Sequence, residues 1–128
     1  MELLFVFNGM KNPNALHVDF NFLNGILEDK PLVLPSNIDM IYGINGHFLI
    51  GEWKKPGEEI KKGQKILLKS LHKEKNFTIL LIEGFSTKDE TVVNKFYQIS
   101  SNELIYLGNS VETLKDYIKT WYNLIKHR

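Results

Sequence analysis

The sequence predicts an α/β fold in which a mixed β-sheet is flanked by helices. Three observations carry this prediction: an Asn-Gly pair between two strand-like runs, a strand–helix–strand order over residues 47–82, and an amphipathic helix near the C-terminal end. The chain has 128 residues, of which 43% are hydrophobic and 24% charged, a composition that suits one core. With no internal repeat or linker in view, we expect a single domain over residues 1–128.

The first quarter of the chain gives the weakest local signals. Residues 2–7 resemble a short buried strand. Residues 15–27 fit both the alternation of a strand and the spacing of a helix face through Leu16, Phe20 and Leu23, and the helix is slightly favoured.

The clearest local signal is a hairpin. Residues 38–43 and 47–53 are strand-like and flank Asn45-Gly46. Asn-Gly is typical of a two-residue hairpin turn because both turn positions need a positive φ.

A helix and a buried strand are expected to follow this hairpin. Gly57 is predicted to open a helix that runs to about Lys73, with Glu58 and Glu59 in the first turn, where negative charge suits the helix dipole. Residues 77–82 form a nearly continuous apolar run, typical of a strand covered on both faces. Strand, helix and buried strand in this order predict a right-handed crossover and a parallel pair.

A second hairpin and a final helix complete the predicted fold. Residues 92–99 and 103–108 are expected to pair around a turn at Ser101-Asn102, after which Ser110 caps the last helix. The apolar stripe of that helix consists of Leu114, Tyr117, Ile118, Trp121 and Ile125.

Composition also limits the functional classes. No apolar run approaches the length that crosses a membrane, and no cysteine is present, which fits a cytoplasmic protein. The net charge is only +1, but residues 54–75 contain eight lysines and three glutamates. This segment would attract a polyanion. A solvated lysine-rich helix face explains the same pattern and is favoured by charge alone.

Two carboxylates and a lysine share one predicted face. If Ile44 pairs with His47, Asp39 lies opposite Glu52, and Lys54 lies on the same side. Facing carboxylates repel each other, and a divalent cation such as Mg²⁺ would cancel that repulsion. Mg²⁺ bound in this way is suited to phosphodiester hydrolysis.

The predicted helix brings a polar side chain to the same place. Gln64 is the one polar member of the stripe that continues through Leu67 and Leu71, and it lies near the helix N-terminus. Gly63 beside it predicts a close approach to the helix backbone. An exposed ion pair of Glu52 with Lys54 and a boundary position for Gln64 would explain the same residues without any chemistry.

These residues resemble a known signature. Ile38-Asp39, followed thirteen residues later by Glu52-Trp53-Lys54, is similar to the PD-(D/E)XK nuclease motif. The continuation through Lys55-Pro56-Gly57 to Gln64 resembles the VRR-NUC branch and small phage-encoded relatives. The similarity covers roughly residues 35–84, and three residues separate Pro35 from Asp39.

The resemblance implies a restriction-endonuclease-like αβββαβ core, here with an extra C-terminal hairpin and helix. It implies a Mg²⁺- or Mn²⁺-dependent deoxyribonuclease in which Asp39, Glu52 and the Trp53 carbonyl bind the metal. Lys54 is then the catalytic lysine that orients the attacking water, and Gln64 is an accessory residue.

Other expected features of such a nuclease are less closely tied to the motif. The acidic residue of the first helix would be Asp19 or, as a second choice, Glu28. Some relatives act as homodimers on branched DNA. The predicted DNA-binding lysines are Lys55, Lys61, Lys62, Lys65 and Lys69.

Three functional hypotheses follow. The leading one is a metal-dependent DNA nuclease with a preference for branched structures. The second is a non-catalytic phage accessory protein that binds nucleic acid or protein on the same fold. The third is a nuclease that acts on RNA, although the sequence lacks the aromatic pattern typical of single-stranded RNA readers.

Overall fold

The computed structural model describes residues 20–32, 35–36, 38–101 and 103–127, and the chain divides into two compact units, Met1–Pro35 and Ser36–Arg128. The single-domain prediction stays a prediction. Among the residues that the structure describes, no helix is long and apolar enough to cross a membrane.

The described part of the first unit contains one turn of 3₁₀ helix, Phe20–Leu23. Successive turns follow, and Gly25 adopts a φ of +80°. The helix predicted over residues 15–27 is therefore wrong beyond Leu23, because Gly25 leaves the right-handed helical region. The strand predicted at residues 2–7 lies outside the described residues.

The second unit is an α/β fold with a five-stranded mixed sheet, which confirms the coarse fold class. Its strands are β1 (Met40–Ile44), β2 (His47–Lys54), β3 (Phe77–Ser86), β4 (Thr91–Ile99) and β5 (Leu104–Gly108). They lie in sequence order across the sheet; the β2–β3 pair is parallel, and the other three neighbouring pairs described are antiparallel. Helix α1 (Lys62–His72) connects that parallel pair, and α2 (Val111–Ile125) ends the described fold.

The predicted hairpin register is confirmed. Ile44 pairs with His47, and both turn residues, Asn45 and Gly46, have a positive φ. The parallel pairing of β2 with β3 and the hairpin of β4 with β5 are confirmed as well.

In the part of the chain that the structure describes, one helix packs on each face of the sheet. On the α2 face, Leu49, Leu80 and Phe96 form one core with the α2 residues Leu114, Trp121 and Ile125. On the α1 face, the second core consists of Ile50, Leu68, Ile79, Leu81 and Ile99. Residues alternate between the two faces along β2, so Glu52 and Lys54 lie on the α1 face with Ile50.

The start of α1 differs from the prediction. The helix begins at Lys62, with Lys61 as an N-cap that makes no side-chain capping bond. Gly57 does not open the helix, because its φ of +80° places it third in a turn closed by the Glu58 N–H and the Lys55 carbonyl. Pro-Gly at the centre of such a turn is typical of type II.

The other helix cap follows the prediction. Ser110 caps α2, and its hydroxyl accepts a hydrogen bond from the Thr113 N–H at 3.1 Å. The Thr113 hydroxyl accepts one from the Ser110 N–H at 3.0 Å, which completes a capping box.

Candidate functional site

The β1–β2 hairpin places Asp39 beside Glu52. Met40 pairs with Gly51 in antiparallel register, so Asp39, the residue before β1, lies at the level of Glu52. The Trp53 backbone N–H donates a hydrogen bond to Asp39 Oδ2 at 2.9 Å. The predicted juxtaposition of the two acids is therefore observed.

Glu52 is buried, with 5% of its surface exposed, and no other charged or polar side chain in the described ranges is as buried. The Gln64 side-chain amide donates a hydrogen bond to Glu52 Oε1. The Lys54 ammonium lies 3.6 Å from the same oxygen. Gln64, in the first turn of α1, thus reaches the carboxylate as its place on the predicted helix face indicated.

On balance, the environment of Glu52 disfavours the ionised form of its side chain. Burial, followed by the nearby Asp39 carboxylate, raises the pKa of Glu52 above its ordinary value. Lys54 and Gln64 act in the opposite direction and offset part of this increase. A cation between the two carboxylates would relieve the remaining conflict.

Lys54 is held between two acids. Its side chain is 12% exposed, and its ammonium also lies 3.5 Å from Glu58 Oε1. The predicted position of Glu58 was the first turn of α1, whereas the Pro56-Gly57 turn folds it back onto Lys54. The spacing of four residues between Lys54 and Glu58 was visible in the sequence, but without a helix it did not indicate a contact.

An open pocket of about 510 Å³ lies next to this cluster. Gly84, on one side of the pocket, has no room for a side chain, because a Cβ there would clash with the Val92 carbonyl oxygen and lie 3.1 Å from the Trp53 ring. The Trp53 ring itself packs on the α2 core. The pocket is lined by Asp39, Trp53, Lys54, Lys55, Glu58, Gly84, Phe85 and Ser86.

The predicted DNA-binding lysines are all exposed: Lys55, Lys61, Lys62, Lys65 and Lys69. They do not all line the same surface. Lys55 lines the pocket beside Asp39, whereas Lys65 and Lys69 line a second groove between α1 and the β4–β5 turn. The close neighbour predicted for Gly63 is not found within the described residues, because a Cβ there would have open space around it.

The residues that could hold a metal are Asp39 and Glu52. Within the described ranges, no group of three or more His, Cys, Asp or Glu side chains is placed to hold a metal ion. Two carboxylates nevertheless fit Mg²⁺, which takes one or two of them and completes its shell with water or phosphate oxygens.

The further predicted ligands remain predictions. The metal-binding role of the Trp53 carbonyl is one of them. Asp19 lies outside the described residues, and Glu28 is an exposed side chain of the first unit.

No protein-family model, curated protein or solved structure matches the chain. The resemblance to the PD-(D/E)XK nucleases, with its αβββαβ core, therefore stays a prediction that rests on the motif residues.

Proposed function

We propose that this protein is a divalent-metal-dependent nuclease that hydrolyses phosphodiester bonds in DNA. The observation that carries the proposal is the buried Glu52 carboxylate, which faces Asp39 and contacts both Lys54 and Gln64. Burying a carboxylate next to another one costs free energy. A hydrolytic site gives a reason for that arrangement, whereas a structural role would be met at lower cost by an apolar side chain.

The metal fits the two acids by the chemistry of its donors. Asp39 and Glu52 would hold Mg²⁺ or Mn²⁺, with the Trp53 carbonyl as a third ligand. When bound, the ion would supply positive charge at the scissile phosphate and lower the pKa of a coordinated water.

The chain's own groups have distinct roles in this proposal. Lys54 donates hydrogen bonds that orient the attacking water, and its position between Glu52 and Glu58 keeps the ammonium beside the carboxylate. Gln64 fixes the rotamer of Glu52 through its side-chain amide. The Trp53 N–H fixes Asp39 in the same way.

The substrate side of the proposal depends on charge. Lys55 lines the pocket beside the carboxylates, and Lys65 and Lys69 of α1 line the separate groove next to the β4–β5 turn. Branched DNA, a homodimer, and action in the cytoplasm of a phage host are the finer parts of the proposal.

The decisive experiment is a cleavage assay with single-stranded, duplex and branched DNA in the presence of Mg²⁺ or Mn²⁺. We expect Lys54→Ala and Asp39→Ala to lower cleavage at least about 100-fold while circular dichroism shows an unchanged fold. Lys119→Ala, at an exposed lysine of α2, is the matched control and should cleave normally. If no DNA substrate is cut with either metal, the proposal is wrong.

A non-catalytic binding protein is the competing function, and one observation favours it: the described residues gather no third acidic ligand. Calorimetric titration with Mn²⁺ separates the two functions. A nuclease should bind the ion and lose that binding in Asp39→Asn. A pure binding protein should show no carboxylate-dependent heat.

A further inference from the structure

A row of side chains leads from the candidate site across the α1 face of the sheet. Glu52 is in register with Leu81, Leu81 with Tyr97, and Tyr97 with Tyr106. Register partners in a sheet point to the same side, so the two tyrosines share the face of Glu52. Lys95, two residues before Tyr97 on β4, lies on that face too. We call Lys95, Tyr97 and Tyr106 the tyrosine strip.

The strip presents aromatic surface to solvent. The rings of Tyr97 and Tyr106 meet edge to face, with centroids 5.8 Å apart. Their contact stabilises the β4–β5 pair, but 57% of Tyr106 remains exposed. Helix α1 covers Leu81 and Ile99 and leaves Tyr106 exposed, whereas Tyr97 is half-buried.

Charged side chains continue from both ends of the strip. On one side, Lys95, itself part of the strip, lies 3.6 Å from Glu83 Oε2, and Glu83 is in register with Lys54. On the other side, Ile99 and Leu104 continue β4 and β5 into the groove of about 270 Å³. Lys65, Lys69 and Glu103 line that groove. Glu83 pairs with Lys95, whereas Lys65 and Lys69 outnumber Glu103 in the groove, so the groove end of the strip favours an anion.

Building on the proposed nuclease function, we propose that the tyrosine strip binds the unpaired bases of single-stranded DNA next to the cleavage site. Every base has a π-face that can stack on an exposed tyrosine, and sequence is not read in this way. Lysines beside the rings would contact the phosphates. Duplex DNA cannot use the strip, because its bases already stack on each other.

The dimensions agree with a short single strand. Glu52 and Tyr106 lie three strand spacings apart, or about 14 Å at ~4.8 Å per strand. Because α1 covers Leu81 on the direct line, a bound strand would pass beside the helix, along the neighbouring row of Lys54, Glu83 and Lys95. The distance of about 14 Å corresponds to about four stacked nucleotides at ~3.4 Å each. A single-stranded tail or flap of about that length is therefore the preferred partner of the strip.

The test measures DNA binding in EDTA, so that it does not depend on metal or on cleavage. Fluorescence anisotropy with the full chain would compare a labelled single strand, a blunt duplex, and duplexes with tails of two, four and six nucleotides. We expect affinity to rise with tail length up to about four nucleotides. Tyr106→Ala should weaken binding to the single strand about tenfold, which is within the range for one lost base stack.

Two variants keep the test specific. Tyr106→Phe retains the ring and should bind within about twofold of the unchanged protein. Tyr122→Ala removes an exposed tyrosine of α2 and should bind normally. Equal affinity of Tyr106→Ala and Tyr122→Ala for the single strand would overturn the proposal.

Other partners give different results. Tighter binding to an RNA strand of the same sequence would overturn the assignment to DNA. If Tyr106→Ala instead converts a dimer to a monomer and leaves DNA binding unchanged, a second copy covers the strip and the proposal is wrong. If Tyr106-dependent binding is found but no metal-dependent cleavage, the strip stands and only the nuclease function fails.

Discussion

Glu52 combines burial, a neighbouring acid and two donors at a single carboxylate. Asp39 raises the pKa of Glu52 and Lys54 lowers it. Asp39 directly precedes β1 and Lys54 ends β2, so both charges come close to Glu52 as soon as the two strands pair. Gln64 then joins from a different element. Such an arrangement lowers stability and is retained where function needs it.

We predict that Glu52→Gln is more stable than the unchanged protein at pH 7 in the absence of divalent metal. Because burial and Asp39 raise the pKa of Glu52, the folded state favours the protonated side chain. The stability contributed by that proton is fully present below the unfolded pKa and is lost as pH rises through the folded pKa. The advantage of the variant should therefore grow between pH 4 and pH 7 in urea unfolding experiments.

Two comparisons complete this prediction. Glu112→Gln, at an exposed glutamate of α2, should show no comparable gain. Mg²⁺ should raise the unfolding free energy of the unchanged protein and leave that of Glu52→Gln unaffected. A Glu52→Gln protein that is less stable at pH 7 would show that the ion pair with Lys54 outweighs desolvation.

At the scale of elements, α1 shows what a local pattern can and cannot predict. The existence of the helix and the inward position of Gln64 followed from apolar spacing. The predicted start of the helix, Gly57, was wrong by five residues, because the helix begins at Lys62. Pro56 and Gly57 form a turn, which an apolar periodicity does not detect. The buried residue Leu68 was also absent from the predicted stripe.

The two helix caps differ, and this difference predicts opposite mutational effects. Lys61→Ser adds a capping hydroxyl to α1 and should raise the free energy of unfolding by about 0.5–1 kcal/mol. Ser110→Ala removes the capping box of α2 and should lower it by about 1 kcal/mol. Urea denaturation of both variants checks the pair. A loss of stability in Lys61→Ser would mean that the lysine makes a contact stronger than a cap.

At the scale of the whole molecule, the contacts between elements that are distant in sequence could not be predicted. The Asn45 side-chain amide donates to the carbonyls of Ile125 and Lys126 at 3.3 and 2.9 Å, which links the hairpin turn to the end of α2. Only the turn role of Asn45 was visible in the sequence. The Tyr97–Tyr106 contact likewise depends on a register shift between Phe96 and Tyr97. By contrast, Asp39 and Glu52 could be paired because one short turn sets their register.

Charge is also distributed over the whole molecule. The net charge is +1, yet residues 54–75 carry eight lysines against three glutamates, and the fold places Lys65 and Lys69 at the groove that continues the tyrosine strip. Lys95 lies within the strip itself. A single strand bound there would therefore release counterions from a few phosphates, and this number can be measured.

We predict that the logarithm of the affinity for single-stranded DNA falls with the logarithm of salt concentration with a slope of about −2, as expected for three phosphate contacts. Changing both Lys65 and Lys69 to Ala should reduce the slope by about 1.4, because each contact contributes about 0.7. The matched control changes Lys115 and Lys119 of α2 to Ala, and its slope should equal that of the unchanged protein. If both double variants have the same slope, the lysines of α1 do not contact DNA, and the basic segment is only a solvated helix face.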